Sequence, residues 1–541
     1  MTKLMQNQKD SSLKKLEEAF NARNKKQNKI EKLKELKTPI SVYEKLEYLC
    51  SKTFEELQDE DKIFFLKCFG LYGKKDGTLM LRLRIPAGQL SIKQAIKIGE
   101  IAKAYGEDYI DITTRQQLEL RYLKLKNIVT VIKELDSIGI TTFQTGIDNF
   151  RNIVTSSFDG LGEKHIINCT PIIKELQSIF IKKDEWIATL PRKFNTAILG
   201  TNTNDCNIYG HDCAFIVASK DDEIGFNLFI GGKVGVQAKD TGLFIKKDQV
   251  IDTFKAIIEL FKTYGFRDNR NKNRLHFLIE AVGIEEFVKA IQETSKIKYK
   301  NSGRLLAEKE YILDKSGVFS LSQELKAVHF SIPSGIFKGS DLIKVAELCK
   351  SVDGHIRLSV EQSLYIIVDK NNSKIVKQSE LFNQYKNYNN VYFNHQVACA
   401  GEATCSFGVI PNKQDAIDMA NFLSKEVALE DGKVRMYWSG CVKGCGAHGI
   451  ADIGFEGCKT KDEDGNACYG VHIYLGGKAT KEAKEARILY KSLPLTQAKY
   501  KVKNLVKLYK DTKKENESFE SFDDRILSSL SNQEIIKMIE V

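Results

Sequence analysis

The chain says the same thing twice, and that repetition limits its fold more than any other feature. Leu81-Arg82-Leu83-Arg84-Ile85-Pro86-Ala87-Gly88 opens a unit that continues through a helical-period stretch near 93–105. It closes in a strand pattern ending Thr113-Thr114-Arg115-Gln116. Val328-His329-Phe330-Ser331-Ile332-Pro333-Ser334-Gly335 opens a second such unit, which closes at Glu361-Gln362. Proline, glycine and terminal glutamine recur at nearly equal separations. A longer repeat follows each unit. Arg192-Lys193-Phe194-Asn195 leads through Asp212-Cys213 to Gly231-Gly232, and Lys433-Val434-Arg435-Met436 leads through Ala451-Asp452-Ile453-Gly454 to Gly476-Gly477. The chain is therefore expected to fold as two related halves, each a small unit followed by a larger α/β unit. A large ligand can sit where such halves meet.

Only the second half carries a close set of thiols. Cys399 and Cys405 form one pair, Cys441 and Cys445 another. Four cysteine ligands suit a tetrahedral zinc or a [4Fe–4S] cube, and the wide gap after Cys399 favours the larger group. Glycines 401, 440, 444 and 446 allow the backbone to pass close to a bulky inorganic object. Four unrelated buried thiols are the alternative, disfavoured by the double pairing. The first residues have no apolar signal core, so a cytoplasmic protein is expected, with its twelve cysteines serving as thiols and ligands rather than disulfides.

At these residues the sequence resembles the sirohaem- and [4Fe–4S]-containing nitrite and sulfite reductases. Their shared pattern is C-x5-C, then G-C-x3-C-G, then A-[DE]-[IV]-G, which here is Ala451-Asp452-Ile453-Gly454. Val442 and Lys443 stand where proline and asparagine are usual. The resemblance spans roughly 60–480 and has the same duplicated order. It implies an α+β (mixed α/β) fold of pseudo-twofold halves, each a small ferredoxin-like half-domain plus a larger sirohaem/iron–sulfur α/β domain. The expected segments are an N-terminal helical stretch (1–58), half-domains at 59–126 and 319–370, larger domains at 127–318 and 371–480, and a helical tail (481–541). It also implies that Cys399, Cys405, Cys441 and Cys445 hold the [4Fe–4S] cluster, with Cys445 bridging to the sirohaem iron.

Nitrite and sulfite are small anions whose reduction needs fixed cations over a redox metal. By the resemblance Arg82, Arg151, Lys193 and Asn195 contact substrate, while Arg115 and Arg121 face the sirohaem carboxylates. Arg84 lies on the same strand face as Arg82 but matches no site position. Glu119 replaces a more usual glutamine. Cys206 and Cys213, beside His211, read as structural thiols, as do His329, His355 and His395 as structural histidines. Cys458 and Cys468 have no assigned role.

Within the resembled family, Lys193-x-Asn195, Arg121 and Gly401 are closer to the nitrite than to the sulfite pattern, which implies nitrite, with an assimilatory sulfite reductase as the alternative. A formal charge of +11 with no nucleotide-binding glycine fingerprint points to electrons from another protein, an acidic carrier such as ferredoxin, with a separate flavoprotein subunit as the alternative. Neither a nucleic-acid module nor an apolar run long enough to cross a membrane is present, so no nucleic-acid or membrane partner is expected. Outside this class, a four-cysteine zinc protein that binds nucleic acid through its basic surface accounts for the thiols but not for the repeat.

Overall fold

The two small units are stitched together by exchanged strands. A computed structural model describes residues 11–74, 76–233, 236–307, 309–310, 317–478 and 484–540. In the first small sheet Leu71–Gly73, Leu79–Arg82, Leu118–Leu123 and Tyr109–Ile112 lie side by side, and Ile336–Lys338 of the second unit completes it. In the second, Val318–Ser320, Leu325–Phe330, Leu364–Asp369 and His355–Leu358 are completed by Gln89–Leu90 of the first. The strand that crosses over follows the Pro-x-Gly turn in each case. Ala87 (φ 55°) and Ser334 (φ 50°) take the left-handed conformation there, which redirects the chain into its neighbour. Helices Ile92–Tyr105 and Gly339–Ser351 pack against each other so closely that a Cβ on Gly99 would lie 2.5 Å from the Gly339 carbonyl oxygen. Ile98, Ile101, Leu342, Val345 and Ile366 share one continuous core.

The recurring glutamines explain themselves in this seam. Gln116 Oε1 accepts from Thr155 N (3.2 Å), and its Nε2 donates to Thr155 O (2.9 Å) and Leu358 O (3.1 Å). Gln362 Oε1 accepts from Ala398 N (2.7 Å), and its Nε2 donates to Ile112 O (3.0 Å). Each amide thus ties its own larger unit to the opposite small unit, satisfying buried backbone groups that would otherwise be orphaned.

The larger units are built alike. Phe150–Val154, Phe194–Leu199 and Cys213–Lys220 run parallel, then Glu223–Ile230 and Lys239–Lys246 turn antiparallel. Gln396–Ala398, Met436–Ser439 and Ile453–Lys461 run parallel, followed by antiparallel Ala467–Leu475 and Arg487–Pro494. The last strand departs from the helical tail expected after 481. Its ladder to Ala467–Leu475 is broken by register shifts, which masks strand alternation in the sequence. The helices beyond it place Val502, Leu505, Phe519 and Ile535 in the same core as Trp438 and Phe455. Helices Ile128–Asp136 and Lys370–Gln378 lie at or beyond the boundaries expected at 126 and 370 but pack with the small units. Their apolar faces, with Val131, Leu135 and Val376, belong to the small-unit core. The N-terminal stretch is divided. Leu16 packs on the first larger sheet, while Val42, Leu46 and Leu49 pack on the small units. No helix among the described residues is long and apolar enough to cross a membrane.

Gln362→Leu should strand the Ala398 N–H and the Ile112 carbonyl in a buried seam. At about 1–3 kcal/mol for each of the two unsatisfied groups, a loss of about 2–6 kcal/mol is expected. Urea unfolding followed by circular dichroism measures it; an unchanged midpoint contradicts the seam as described.

Candidate functional site

In a parallel sheet the carboxyl ends of the strands are where backbone and side chains converge on a ligand. Cys399 directly follows Gln396–Ala398, and Cys441 and Cys445 follow Met436–Ser439. The Cys399 amide donates to Trp438 O (3.0 Å), and its Sγ accepts from Gly440 N (3.1 Å) and Asn412 Nδ2 (3.5 Å). A Cβ on Gly446 would lie 1.9 Å from Trp438 O, so only glycine lets the second cysteine loop fold back on its strand. Burial, then the nearby Cys445, pushes the Cys399 thiol up to about 11. Burial raises Cys441 too, with Cys445 and Cys405 adding to it. The four thiols therefore lie in one another's field. No group of three Cys, His, Asp or Glu side chains that could hold a metal ion is found among the described residues.

Facing Cys445 is a set of cations from the first half. The charge of Cys445 acts on Arg82, Arg115, Arg192 and Lys193. Arg151 lies in the same group, within the fields of Arg82, Arg115 and Arg192. Arg115 Nε donates to Asn195 Oδ1 (3.1 Å), while the Asn195 amide is anchored on Asp212 Oδ2 (2.8 Å). Arg151 Nη2 donates to Ile147 O (3.0 Å), but its buried Nη1 has no partner among the described residues. Among the described residues no hydrogen-bond or ion-pair partner is found for the Lys193 ammonium. Burial lowers Arg115 to about 10 and Arg151 to about 9, and pulls Lys193 well below the ordinary lysine value with Arg115 reinforcing it. Desolvated, mutually repelling cations of this kind are stabilised by an anion among them. A small anion or a group bearing several carboxylates fits both the charge and the unpartnered Nη1.

Arg82 is held differently. Its Nε and Nη2 both meet Glu119 Oε1 (2.8 and 2.7 Å), and Nη1 donates to Thr145 O (3.1 Å). Burial opposes its charge, but the Glu119 carboxylate and then Tyr72 hold it above the usual arginine value. Arg121 is not part of the cation group. It is 3% exposed and clamped by Asp111 Oδ2 (2.6 Å) and Glu119 Oε2 (2.5 Å), with only Nη1 unpartnered. The expectation that it faces a cofactor directly gives way to a supporting position behind Arg82, because two carboxylates already take its charge. Arg84 lies deeper still. It donates to the carbonyls of Arg151, Gln144 and Phe150 (2.9–3.0 Å) and so fixes the strand that carries Arg151.

Several contributors carried no sequence signal of their own. Arg274 forks onto Asp212 (2.8 and 2.6 Å), and Arg270 and Lys34 meet at Asp148. The repeat could have revealed one of them. The Arg435 amide donates to Asp452 Oδ2 (2.7 Å) as Asn195 does to Asp212, but in the second half Arg435 forks its own guanidinium onto that aspartate. The first half moves that fork to Arg274 and leaves position 195 free to receive Arg115. By the same correspondence His329 stands for Arg82 and Glu361 for Arg115, and Glu361 is paired with His395 (2.9 Å). One half supplies cations, the other thiols. Cys206 and Cys213 are fully buried, their thiols raised by burial; Cys206 lies in the loop that mirrors the second cysteine pair, and Cys213 begins the strand after it.

Fold and site together define a duplicated enzyme of the nitrite and sulphite reductase class, and the comparisons place the chain in that family. Residues 146–299 and 394–526 match the nitrite and sulphite reductase 4Fe-4S domain, and 72–138 match the nitrite/sulfite reductase ferredoxin-like half domain. The chain belongs to this family. Among its relatives, the ferredoxin–nitrite reductase of Synechococcus elongatus is 33% identical over 85% of this chain and 92% of its own length. The chloroplastic ferredoxin–nitrite reductase of Betula pendula is 31% identical over 90% and 86%. The structure of Mycobacterium tuberculosis NirA shares the fold, with a TM-score of 0.85 at 24% identity over 95% of this chain and 98% of that one.

Because burial lowers the Lys193 ammonium, it should lose its proton as pH rises at values below those of an ordinary lysine. Affinity for a small anion such as nitrite should then fall over that range, and Lys193→Gln should weaken binding and flatten the pH profile. Equilibrium binding titrations across pH check this; a profile identical in both proteins excludes Lys193.

Proposed function

We propose that the protein reduces nitrite to ammonium with six electrons drawn from ferredoxin. The observation that carries this reading is the set of desolvated cations, unpaired by carboxylates of the described residues at Arg151 and Lys193, of which Lys193, Arg115, Arg192 and Arg82 feel the exposed Cys445. Cys399, Cys405, Cys441 and Cys445 would hold a [4Fe–4S] cluster, and Cys445 would bridge it to a sirohaem. When bound, these groups supply the electron store and the redox metal face. Arg115 suits the macrocycle's carboxylates, and Arg121 supports Arg82 from behind Glu119. Arg82, Arg151, Lys193 and Asn195 form the anion site. Arginine forks orient the nitrite oxygens, and the Asn195 amide adds a neutral donor where a further cation would favour a doubly charged anion. The Lys193 Nζ, with its lowered proton affinity, gives up a proton to a departing oxygen more readily than an ordinary lysine would. The relatives named as ferredoxin–nitrite reductases support both substrate and donor.

Electrons would enter beside the cysteine loops. Phe407 and Val442 are 57% and 77% exposed there, and the Lys443 ammonium lies 3.2 Å from the centre of the Phe407 ring. Lys67 lies within the field of Lys443. An apolar knob ringed with ammonium groups suits an acidic carrier. Free thiols at all twelve cysteines support work in the reducing cytoplasm.

Each of Cys399, Cys405, Cys441 and Cys445 replaced by serine should lose cluster iron and sulfide, and Cys445→Ser should also change the visible absorption. The loaded protein should convert nitrite to ammonium with a chemical reductant; a colourless protein, or one inert toward nitrite, refutes the reading. Added salt should slow ferredoxin-driven turnover more than turnover with a small artificial reductant, since exposed charges are screened over about 8–10 Å at physiological ionic strength. Equal salt sensitivity with both donors rules out an electrostatic docking face.

A further inference from the structure

Behind Arg82 runs an unbroken line of buried charges. Arg82 meets Glu119, Glu119 meets Arg121, Arg121 meets Asp111, and Asp111 Oδ1 meets Lys413 Nζ (2.6 Å), which also donates to Ser334 O (2.7 Å). Lys413 begins the helix Lys413–Glu426, next to the Asn412 whose amide touches Cys399 Sγ. The line therefore starts at the anion site, crosses between the halves, and ends beside the first cysteine loop. Lys74 flanks it, lowered to about 8 by burial and then by Arg121.

Glu119 is the one member that touches two arginines. Burial alone would raise it, but Arg121 and Arg82 overrule that and hold it down at about 2, so it stays ionised at any working pH. Its geometry does two things. Oε1 takes both Nε and Nη2 of Arg82, and Thr145 O takes Nη1, so the guanidinium cannot rotate about its long stem. Its charge also cancels one of the positive charges of the site. Arg82, Arg121 and Lys413 against Glu119 and Asp111 leave one net positive charge in the line, whereas an uncharged residue at 119 would leave two. Extra positive charge stabilises a dianion more than a monoanion.

We infer that Glu119 is a positioning and specificity-determining residue: it aims Arg82 and lowers the charge of the anion site to suit singly charged nitrite over fully ionised sulfite. This rests on the reading of the site as a nitrite site, and the experiment keeps the two apart. Glu119→Gln preserves shape and one hydrogen bond to Arg82 while removing the charge. Nitrite and sulfite binding to the oxidised holoenzyme is measured by calorimetry, at a pH where sulfite is fully ionised, alongside kcat and KM for each. The ratio of sulfite to nitrite affinity should rise about fivefold or more in Glu119→Gln. Glu119→Asp keeps the charge but draws it back from the guanidinium; it should leave that ratio unchanged and lower kcat for nitrite. An unchanged ratio in a folded, loaded Glu119→Gln enzyme overturns the inference. If that variant gives no folded holoenzyme, Glu119→Asp decides: a lower nitrite kcat at unchanged ratio supports the inference, and an unaltered kcat overturns it. A wild-type enzyme that binds nitrite but does not reduce it sinks the functional reading while leaving the affinity ratio to judge Glu119.

Discussion

Keeping several positive charges together out of water is the constraint around which this protein is arranged. Arg82, Arg115, Arg151, Arg192 and Lys193 repel one another, and burial penalises each. The protein manages this from behind. Carboxylates hold the flanking cations in place: Asp148 under Arg270 and Lys34, Asp212 under Arg274, Glu119 under Arg82 and Arg121. Among the described residues, only Arg82 of the group has a carboxylate partner; Arg115 rests on the Asn195 side chain and Arg192 on a backbone carbonyl, and Arg151 and Lys193 are left with charge to offer an anion. A site made entirely of neutralised pairs would be more stable and would bind nothing.

The duplication supplies the frame that makes such an arrangement possible. Strands Ile336–Lys338 and Gln89–Leu90 are exchanged, helices Ile92–Tyr105 and Gly339–Ser351 pack on each other, and Gln116 and Gln362 bridge in opposite directions across the seam. Neither small unit has a complete sheet without the other, so the halves are fixed at one orientation. The cations of one half are thereby held against the cysteine loops of the other.

Divergence then assigned the work. At corresponding positions Arg82 faces His329, Arg115 faces Glu361, and Asn195 faces Arg435. In the second half the equivalent groups are taken up locally: Glu361 meets His395 (2.9 Å), and Arg435 forks onto Asp452. That self-pairing closes one site as it leaves the other open, and it explains why only one half needs cysteine loops opposite it.

The sequence by itself determined what lies close along the chain. The cysteine spacings, the glycines between them, the repeated Pro-x-Gly turns and the order of Arg82, Arg115, Arg151, Lys193 and Asn195 were all legible, because each depends on neighbours a few residues away. The tertiary structure alone decided which charges meet. Glu119 pairs with an arginine 37 residues distant and Lys413 with an aspartate 302 residues distant, and no local pattern encodes either. Arg121 and Arg115 look alike in sequence, yet two carboxylates take up one and an asparagine side chain orients the other. The strand Arg487–Pro494 was hidden for a related reason: its register shifts blur the alternation that marks a strand, and only the free edge of the sheet beside it made it one. Local propensity and spacing are properties of a segment, whereas the partner of a buried charge is a property of the whole fold.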